Sequence, residues 1–269
     1  MKSMKKIIIT AAVALVALIL YACASVAVTG RNQLSLVSNA EIIPMATTQY
    51  QEVIAKGPLS TDKAQTEMVK RVGVRIQKAV EEYMASKNLS SQLEGFQWEF
   101  NLIDDPKTVN AWCMPGGKVA FYTGIMPICQ DETGVAVVMG HEVAHAIANH
   151  GAERMSEQMV AQYGLQTLGG FLGQNPTAAK DLLFQAVGVG TNIGMLKFSR
   201  THESEADHIG LIFMTMAGYD PKQAPVFWER MGKSGGGEPP EFLSTHPSHS
   251  TRIKDLESWI PEALTYKKK

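Results

Sequence analysis

Residues 137–145 read Val-Val-Met-Gly-His-Glu-Val-Ala-His, and this stretch constrains the fold more strongly than any other part of the chain. Residues of an α-helix advance by about 100° each, so His141 and His145, four positions apart, lie on one face. Two imidazoles on one helical face can bind the same metal ion. Glu142 is offset by about 100°, which leaves its carboxylate within reach of a water molecule on that ion. The flanking residues are apolar or small, as expected of a buried helix, and Thr133 is the predicted N-cap.

These residues form the H-E-x-x-H pattern, in which two histidines bind zinc and the glutamate is the general base of a metallopeptidase. A match of this length also occurs by chance, and the alternative is a buried helix with two incidental histidines. A catalytic zinc site needs a third protein ligand and leaves its fourth position to water. A histidine six residues after the second one would serve, but that position is Gly151, and His150 is rotated about 100° away from it.

An acidic cluster at residues 203–207 supplies candidates for the third ligand. Glu203 and Asp207 share a helical face, so Glu203 can bind the ion while Asp207 orients a ligand imidazole through its second nitrogen. Glu205 points about 200° away from Glu203 and is expected to be solvated. The alternative is an exposed acidic helix start, which the helix dipole favours. The histidines expected at the surface are His202, His208 and His249.

The remaining sequence predicts an α+β fold that is mostly helical, with one small antiparallel sheet beside the H-E-x-x-H helix. Alternating apolar residues indicate the strands, and apolar stripes at spacings of three and four indicate the helices. Ser38 and Glu41 form a capping box for the first helix, and Thr61 is the expected cap of the second. The predicted strands are 96–103, 109–114 and 118–123. The predicted helices are 38–57, 61–87, 132–150 with a continuation to 163, two within 164–196, 199–218, 221–231 and 250–259.

Asn110 and Ala111 lie on the predicted strand that precedes the Pro-Gly-Gly turn at 115–117. In zincins, an edge strand beside the active-site helix binds the substrate main chain by strand addition, so we expect these two residues to contact substrate. The alternative is an ordinary hairpin that only packs on the helix. The apolar, glycine-rich stretch 164–196 is expected to be a helical hairpin over the core or, alternatively, a lid over the cleft or a surface facing the membrane.

The E-x-x-x-D pattern after H-E-x-x-H, followed by His246-Pro247, resembles peptidase family forty-eight of the metallo class. Its members are gluzincins related to the CAAX prenyl-protein protease, to HtpX and to periplasmic lipoprotein peptidases. The similar segments are 110–117, 140–150, 203–210, 218–221 and 244–253. The resemblance implies one zinc ion per chain, bound by His141, His145 and Glu203, with Glu142 as the base. It also implies that His246 supports the transition state or covers the metal.

The first 23 residues have the pattern of a secretory signal. A lysine-rich start precedes the apolar run from Ile7 to Leu20, which is too short for a comfortable membrane span. The sequence Leu-Tyr-Ala before Cys23 resembles a bacterial lipobox, so Cys23 is the predicted lipidation site and residues 24–37 a tether. Ala24, in place of an aspartate, favours the periplasmic face of the bacterial outer membrane. The alternatives are a cleaved signal without lipid and an uncleaved anchor.

The amino-acid composition limits the kinds of molecule that the protein is expected to bind. A net charge of −1 leaves no basic excess for nucleic acid. Cys113 and Cys129 have no metal-like spacing and are expected to be buried free thiols, although export would permit a disulfide. No other apolar run of membrane-spanning length follows, so the rest of the chain is expected to be soluble. A zinc peptidase domain is predicted over residues 38–262, followed by a disordered basic tail over 263–269.

Two functions from different classes fit these features. The first is a zinc endopeptidase of the bacterial envelope that hydrolyses protein or peptide substrates. Protein quality control enters only through the resemblance. The second is an envelope binding or assembly factor that uses the same fold with little proteolysis. Glu142 favours the enzyme, because a scaffold needs no base at that position.

Overall fold

A computed structural model describes residues 23–163, 176–188, 198–234, 241–246 and 251–267. The predicted signal sequence up to Ala22, most of the predicted lid and His249 lie outside these residues. The strands are β1 Cys23–Ser25, β2 Asn32–Leu34, β3 Glu99–Ile103, β4 Ala111–Met114 and β5 Lys118–Tyr122. The helices are α1 Asn39–Lys56, α2 Lys63–Ser86, α3 Met126–Cys129, α4 Glu132–Ile147, α5 His150–Tyr163, α6 Pro176–Val187, α7 Arg200–Met216, α8 Gln223–Lys233, α9 Glu241–Thr245 and α10 Arg252–Thr265. Within the described ranges, no helix combines the length and the apolar composition that a membrane span requires.

The mostly helical α+β prediction is confirmed, and the sheet has the order β3-β5-β4. Strands β4 and β5 form the expected antiparallel hairpin, whose turn uses Gly116 and Gly117 at φ values of 86° and 78°. Strand β3 pairs parallel with β5, so the sheet is mixed rather than purely antiparallel. The reason is that the chain crosses from β3 to the far edge before it forms the hairpin. This topology leaves β4 as an edge strand packed beside α4.

Helix α4 is buried along almost its whole length, from Gly134 to Ile147. Its N-cap is Asp131 instead of the predicted Thr133, because the Asp131 carboxylate accepts hydrogen bonds from the backbone N–H groups of Thr133 and Gly134 at 2.8 and 2.9 Å. The predicted continuous helix is interrupted at Asn149, whose φ of 56° redirects the chain into α5. This break turns His150 back towards α4.

Helices α4 and α7 cross in close contact at Gly140 and Gly210. A Cβ atom added at Gly210 would lie 2.8 Å from the carbonyl carbon of Gly140 and 2.9 Å from the backbone nitrogen of His141. A Cβ atom at Gly140 would lie 2.8 Å from the carbonyl oxygen of Gly210. Two glycines therefore allow the backbones to approach closely enough for side chains of both helices to meet.

The ends of the described chain differ from the prediction. Part of the segment expected to be a tether, 24–37, forms the β1–β2 hairpin, in which Ala24 pairs with Gln33. At the other end, α10 continues to Thr265 because Ala263 is fully buried against the core, so the predicted tail boundary falls inside a helix. Ser38 caps α1, whereas Asp62, one residue after the predicted Thr61, caps α2.

Candidate metal centre

Four side chains meet where α4, α7 and α9 converge. Ligand atoms from His141, His145, Glu203 and His246 all lie within 4.8 Å of one another, and every one of these residues is buried. The two Nε2 atoms of His141 and His145 are 3.1 Å apart. The Glu203 carboxylate lies 3.4 Å from His145 Nε2 and 3.6 Å from His141 Nε2. The structure therefore brings together the three residues predicted to bind zinc.

His246 belongs to the same cluster and directs its two nitrogens to different partners. Its Nδ1 is 2.9 Å from Glu203 Oε1, and its Nε2 is 3.7 Å from Glu142 Oε1. The imidazole is stacked between Phe198 and Phe242, with ring centroids 4.9 and 4.4 Å away. This stacking fixes the ring between the predicted base and the predicted ligands.

The residues of the cluster fit a divalent cation. Two imidazoles and one carboxylate are a donor set that zinc prefers. Among the described residues, Glu203 Oε2 and Glu142 Oε1 are buried oxygens without a hydrogen-bond donor. Leaving such oxygens unsatisfied is costly, and a cation together with its water would satisfy both.

Burial sets the protonation states of the cluster. It lowers the pKa of His141 and His145 well below the ordinary value, which favours the neutral form that metal binding requires. Burial also opposes ionisation of Glu203, but the neighbouring imidazoles and their hydrogen bonds hold its pKa well below its usual range. For Glu142, burial and the charge of Glu203 raise the pKa. A bound cation would oppose this rise, because positive charge stabilises the carboxylate.

Asp207 lies beside the ligand that it was predicted to orient. Its Oδ1 is 2.9 Å from His141 Nδ1, the nitrogen facing away from the cluster. Arg252, which sequence reasoning missed, donates to the same Oδ1 at 2.7 Å and lies 3.3 Å from Glu203 Oε2. Its guanidinium is buried and stacks 3.3 Å from the ring centroid of Trp228. Only its place in the family-like segment 244–253 marked it beforehand.

The prediction that Glu205 is solvated is wrong, because the β1–β2 hairpin covers that side of α7. Glu205 is 7% exposed, and the Nε–H of Arg31 donates to its Oε2 at 2.8 Å. Thr29 also donates a hydrogen bond to Glu205. Glu205 Oε2 also lies 2.9 Å from Nε2 of His150. The Nδ1 atom of His150 is 2.8 Å from Nδ1 of His145. The angular rule placed Glu205 correctly on its own helix but gave no information about the covering hairpin.

His202 is also buried rather than at the surface. Its Nε2 lies 3.0 Å from Glu153 Oε2, and its ring stacks on His150 with centroids 4.5 Å apart. Arg31 binds Glu153 with two guanidinium nitrogens, at 2.8 and 2.6 Å. Burial opposes ionisation of Glu153 and Glu205, but hydrogen bonds from their partners lower the pKa of each to about 2.

Ala111 is the first residue of β4 and Asn110 immediately precedes it, and both are buried. The Asn110 amide lies 3.5 Å from the carbonyl oxygen of Gly188, just after α6. Beside Glu142 and His145 there is a cavity of about 10 Å³, lined also by Cys113 and Val187. That volume is about one water probe, so the edge of β4 near the centre is covered in this conformation. Cys113 and Cys129 are buried free thiols, as expected.

The sequence profile of Peptidase family M48 matches residues 71–260. The chain belongs to this family. It is 42% identical over 176 residues to the mitochondrial metalloendopeptidase OMA1 of Schizosaccharomyces pombe, covering 64% of this chain and 50% of that protein. It is 38% identical to OMA1 of Arabidopsis thaliana, covering 67% and 35% of the two chains. It is 27% identical to the beta-barrel assembly-enhancing protease of Escherichia coli, covering 85% and 46%. The chain thus spans half or less of the length of these curated relatives.

Membership of this M48 family confirms the resemblance inferred from the H-E-x-x-H, E-x-x-x-D and His-Pro patterns. The predicted location at a bacterial outer membrane is contradicted. The OMA1 relatives from fungi, plants and animals are named as mitochondrial proteins, not as proteins of a bacterial outer membrane. None of these comparisons supports a lipid anchor at Cys23.

Proposed function

We propose that this member of family M48 is a zinc-dependent endopeptidase with one zinc ion per chain. The observation that carries the proposal is the buried convergence of His141, His145 and Glu203, with Glu142 on the same helix as the two histidines. A structural zinc site would close its coordination with four protein ligands, whereas a catalytic site keeps one position open. The presence of a base next to three ligands favours the catalytic alternative.

Zinc bound by His141, His145 and Glu203 would supply a Lewis acid and lower the pKa of its water to about 7. Glu142 then acts as the general base, accepting a proton from the attacking water and passing it to the leaving amine. Its buried carboxylate has no other hydrogen-bond donor on Oε1 among the described residues, so that oxygen is available for the proton. Asp207 holds His141 by accepting from Nδ1, which leaves Nε2 for the ion.

His246 is proposed to donate a hydrogen bond to the developing oxyanion. This proposal is supported by the distances from His246, whose Nδ1 lies 2.9 Å from Glu203 Oε1 and whose Nε2 lies 3.7 Å from Glu142 Oε1. One donor of this kind is typically worth about 10²–10³ in rate. Asn110 and Ala111 are proposed to pair with the substrate main chain, which requires Gly188 to move away from Asn110.

The covered centre favours one other candidate function, a binding or assembly factor with little proteolysis. Glu142 is only 2% exposed, so a bound peptide cannot reach it without a conformational change. Digestion of casein by the purified full chain, with and without a chelator, separates the two functions. Zinc content without chelator-sensitive digestion would support the binding factor.

Two substitutions test the roles within the centre. Glu142→Gln is expected to retain zinc and to lower turnover by about 10²–10⁴, the usual contribution of a general base. Glu203→Ala is expected to lose zinc, measured by elemental analysis. Glu262→Gln is the control, because Glu262 pairs with His208 at 2.8 Å on the surface. Unchanged turnover in Glu142→Gln would remove Glu142 from its proposed role.

A further inference from the structure

The two imidazoles proposed to bind zinc have different partners at Nδ1, the nitrogen that faces away from the proposed ion. His141 meets a carboxylate directly, since its Nδ1 lies 2.9 Å from Asp207 Oδ1. His145 has no carboxylate at its Nδ1 within the described structure. Instead, its Nδ1 lies 2.8 Å from the Nδ1 of a second imidazole, His150. The outer partner of His145 is therefore an imidazole, and that imidazole has a partner of its own.

The contacts fix the proton positions along the hydrogen-bonded series His145, His150 and Glu205. A His145 ring that presents Nε2 to an ion carries its proton on Nδ1, and that N–H donates to Nδ1 of His150. His150 must then carry its own proton on Nε2, which faces Glu205 Oε2 at 2.9 Å. The carboxylate accepts there, so each donor meets one acceptor. The order from the metal side outwards is His145, His150, Glu205.

Glu205, the outermost member of this hydrogen-bonded series, is held by Arg31 of the β1–β2 hairpin. The Nε–H of Arg31 donates to Glu205 Oε2 at 2.8 Å, while its other nitrogens bind Glu153 at 2.8 and 2.6 Å. Glu153 in turn holds His202, whose ring stacks on His150. Arg31 therefore restrains His150 in two ways, through the carboxylate that accepts from it and through the ring stacked on its face.

We propose that His150, Glu205 and Arg31 form a positioning relay that orients His145 for metal binding and couples the β1–β2 hairpin to the metal centre. The proposal rests on the proposed function, since it assigns a purpose to the outer nitrogen of a zinc ligand. Among the described residues, the group that could hold a metal ion is His141, His145, Glu203 and His246, and none of these three residues belongs to it. Outer partners of metal-binding histidines typically contribute about 10- to 100-fold in metal affinity.

The first test measures the zinc dissociation constant of the full chain by competition with a chromophoric chelator. Glu205→Gln removes the charge and keeps the size of the side chain. It is expected to weaken zinc binding by about 10- to 100-fold. Glu262→Gln is the matched control, because it makes the same change in a carboxylate–imidazole pair of similar length, 2.8 Å, on the surface. It is expected to bind zinc like the parent.

Further variants separate positioning from a general loss of structure. His150→Phe keeps a ring that stacks on His202 but removes the acceptor for His145, whereas His150→Gln keeps an acceptor oxygen. The relay predicts weaker zinc binding in His150→Phe than in His150→Gln, and an altered visible spectrum of bound Co²⁺ in His150→Phe. Arg31→Lys should retain more affinity than Arg31→Ala, because lysine keeps the charge but not the forked geometry.

The outcomes distinguish failure of the relay from failure of the proposed zinc-peptidase function. A parent chain that binds no zinc refutes the proposed function itself. A parent that binds zinc, with Glu205→Gln indistinguishable from Glu262→Gln, overturns the relay and leaves the peptidase proposal standing. If Glu205→Gln does not fold, the two His150 variants decide, and equal zinc affinities in both would also overturn the relay.

Discussion

Adding one methyl group at the crossing of α4 and α7 should separate the proposed ligands. In Gly210→Ala, the new Cβ would lie 2.8 Å from the Gly140 carbonyl carbon and 2.9 Å from the His141 nitrogen. Ordinary contacts begin at 3.4 Å, so the closer of these distances must lengthen from 2.8 to 3.4 Å, a displacement of about 0.6 Å. Both obstructing atoms belong to a helix backbone, so no side-chain rotation can relieve the contact.

The displacement has two measurable consequences. Overpacking a core typically costs about 1–3 kcal/mol, and the better helix propensity of alanine offsets about 1 kcal/mol of this, leaving a net loss of about 0–2 kcal/mol. Metal sites tolerate distance errors of only about 0.2 Å, so zinc affinity should fall by much more than this loss of stability suggests. Urea unfolding of the metal-free chain gives the first quantity, and chelator competition gives the second.

Gly232→Ala is the matched control, because nothing lies within 4 Å of a Cβ atom added at Gly232 in α8. It is expected to leave zinc affinity unchanged and to stabilise the chain by up to about 1 kcal/mol. Parent-like zinc affinity in Gly210→Ala would refute the reasoning. It would mean that the distance between His141 and Glu203 does not depend on the close approach of the two helices.

Two other perturbations follow from the same geometry. His246→Ala should lower turnover by about 10²–10³ if His246 stabilises the oxyanion, and an unchanged turnover number in peptide hydrolysis would exclude that role. Arg31→Ala should destabilise the chain above about pH 4.3, the unfolded pKa of glutamate. The difference from the parent should shrink as the pH falls towards 2, the folded pKa of Glu153 and Glu205, because a lowered carboxyl pKa stabilises only while the group is ionised. Urea unfolding over this range checks it, and a pH-independent difference would contradict it.

Helical spacing was enough to locate the centre, because side chains four apart share a face whatever the helix packs against. His141 and His145 on α4, and Glu203 and Asp207 on α7, needed only that rule and one assumption, that the two helices face each other. The structure brings these side chains together, since His141, His145 and Glu203 share one cluster and Asp207 lies 2.9 Å from His141 Nδ1. Their chemical roles remain proposals.

The rule failed where another part of the chain supplies the environment. Glu205 points away from Glu203, as expected, but Arg31 reaches it from 174 residues earlier in the sequence. An arginine is normally expected at the protein surface, and only tertiary packing explains why Arg252 is buried. The parallel pairing of β3 had the same cause, since alternation predicts a strand but not the path of the chain between strands.

The burial of Arg252 also couples the stability of α10 to that of the metal centre. Its guanidinium lies in α10 but neutralises Asp207 and Glu203 on α7. Breaking a buried ion pair by removing one partner typically costs about 3–5 kcal/mol, because it leaves an uncompensated charge. Detachment of α10 would therefore leave both carboxylates without this partner at once, so the free energy of opening α10 is coupled to the metal centre.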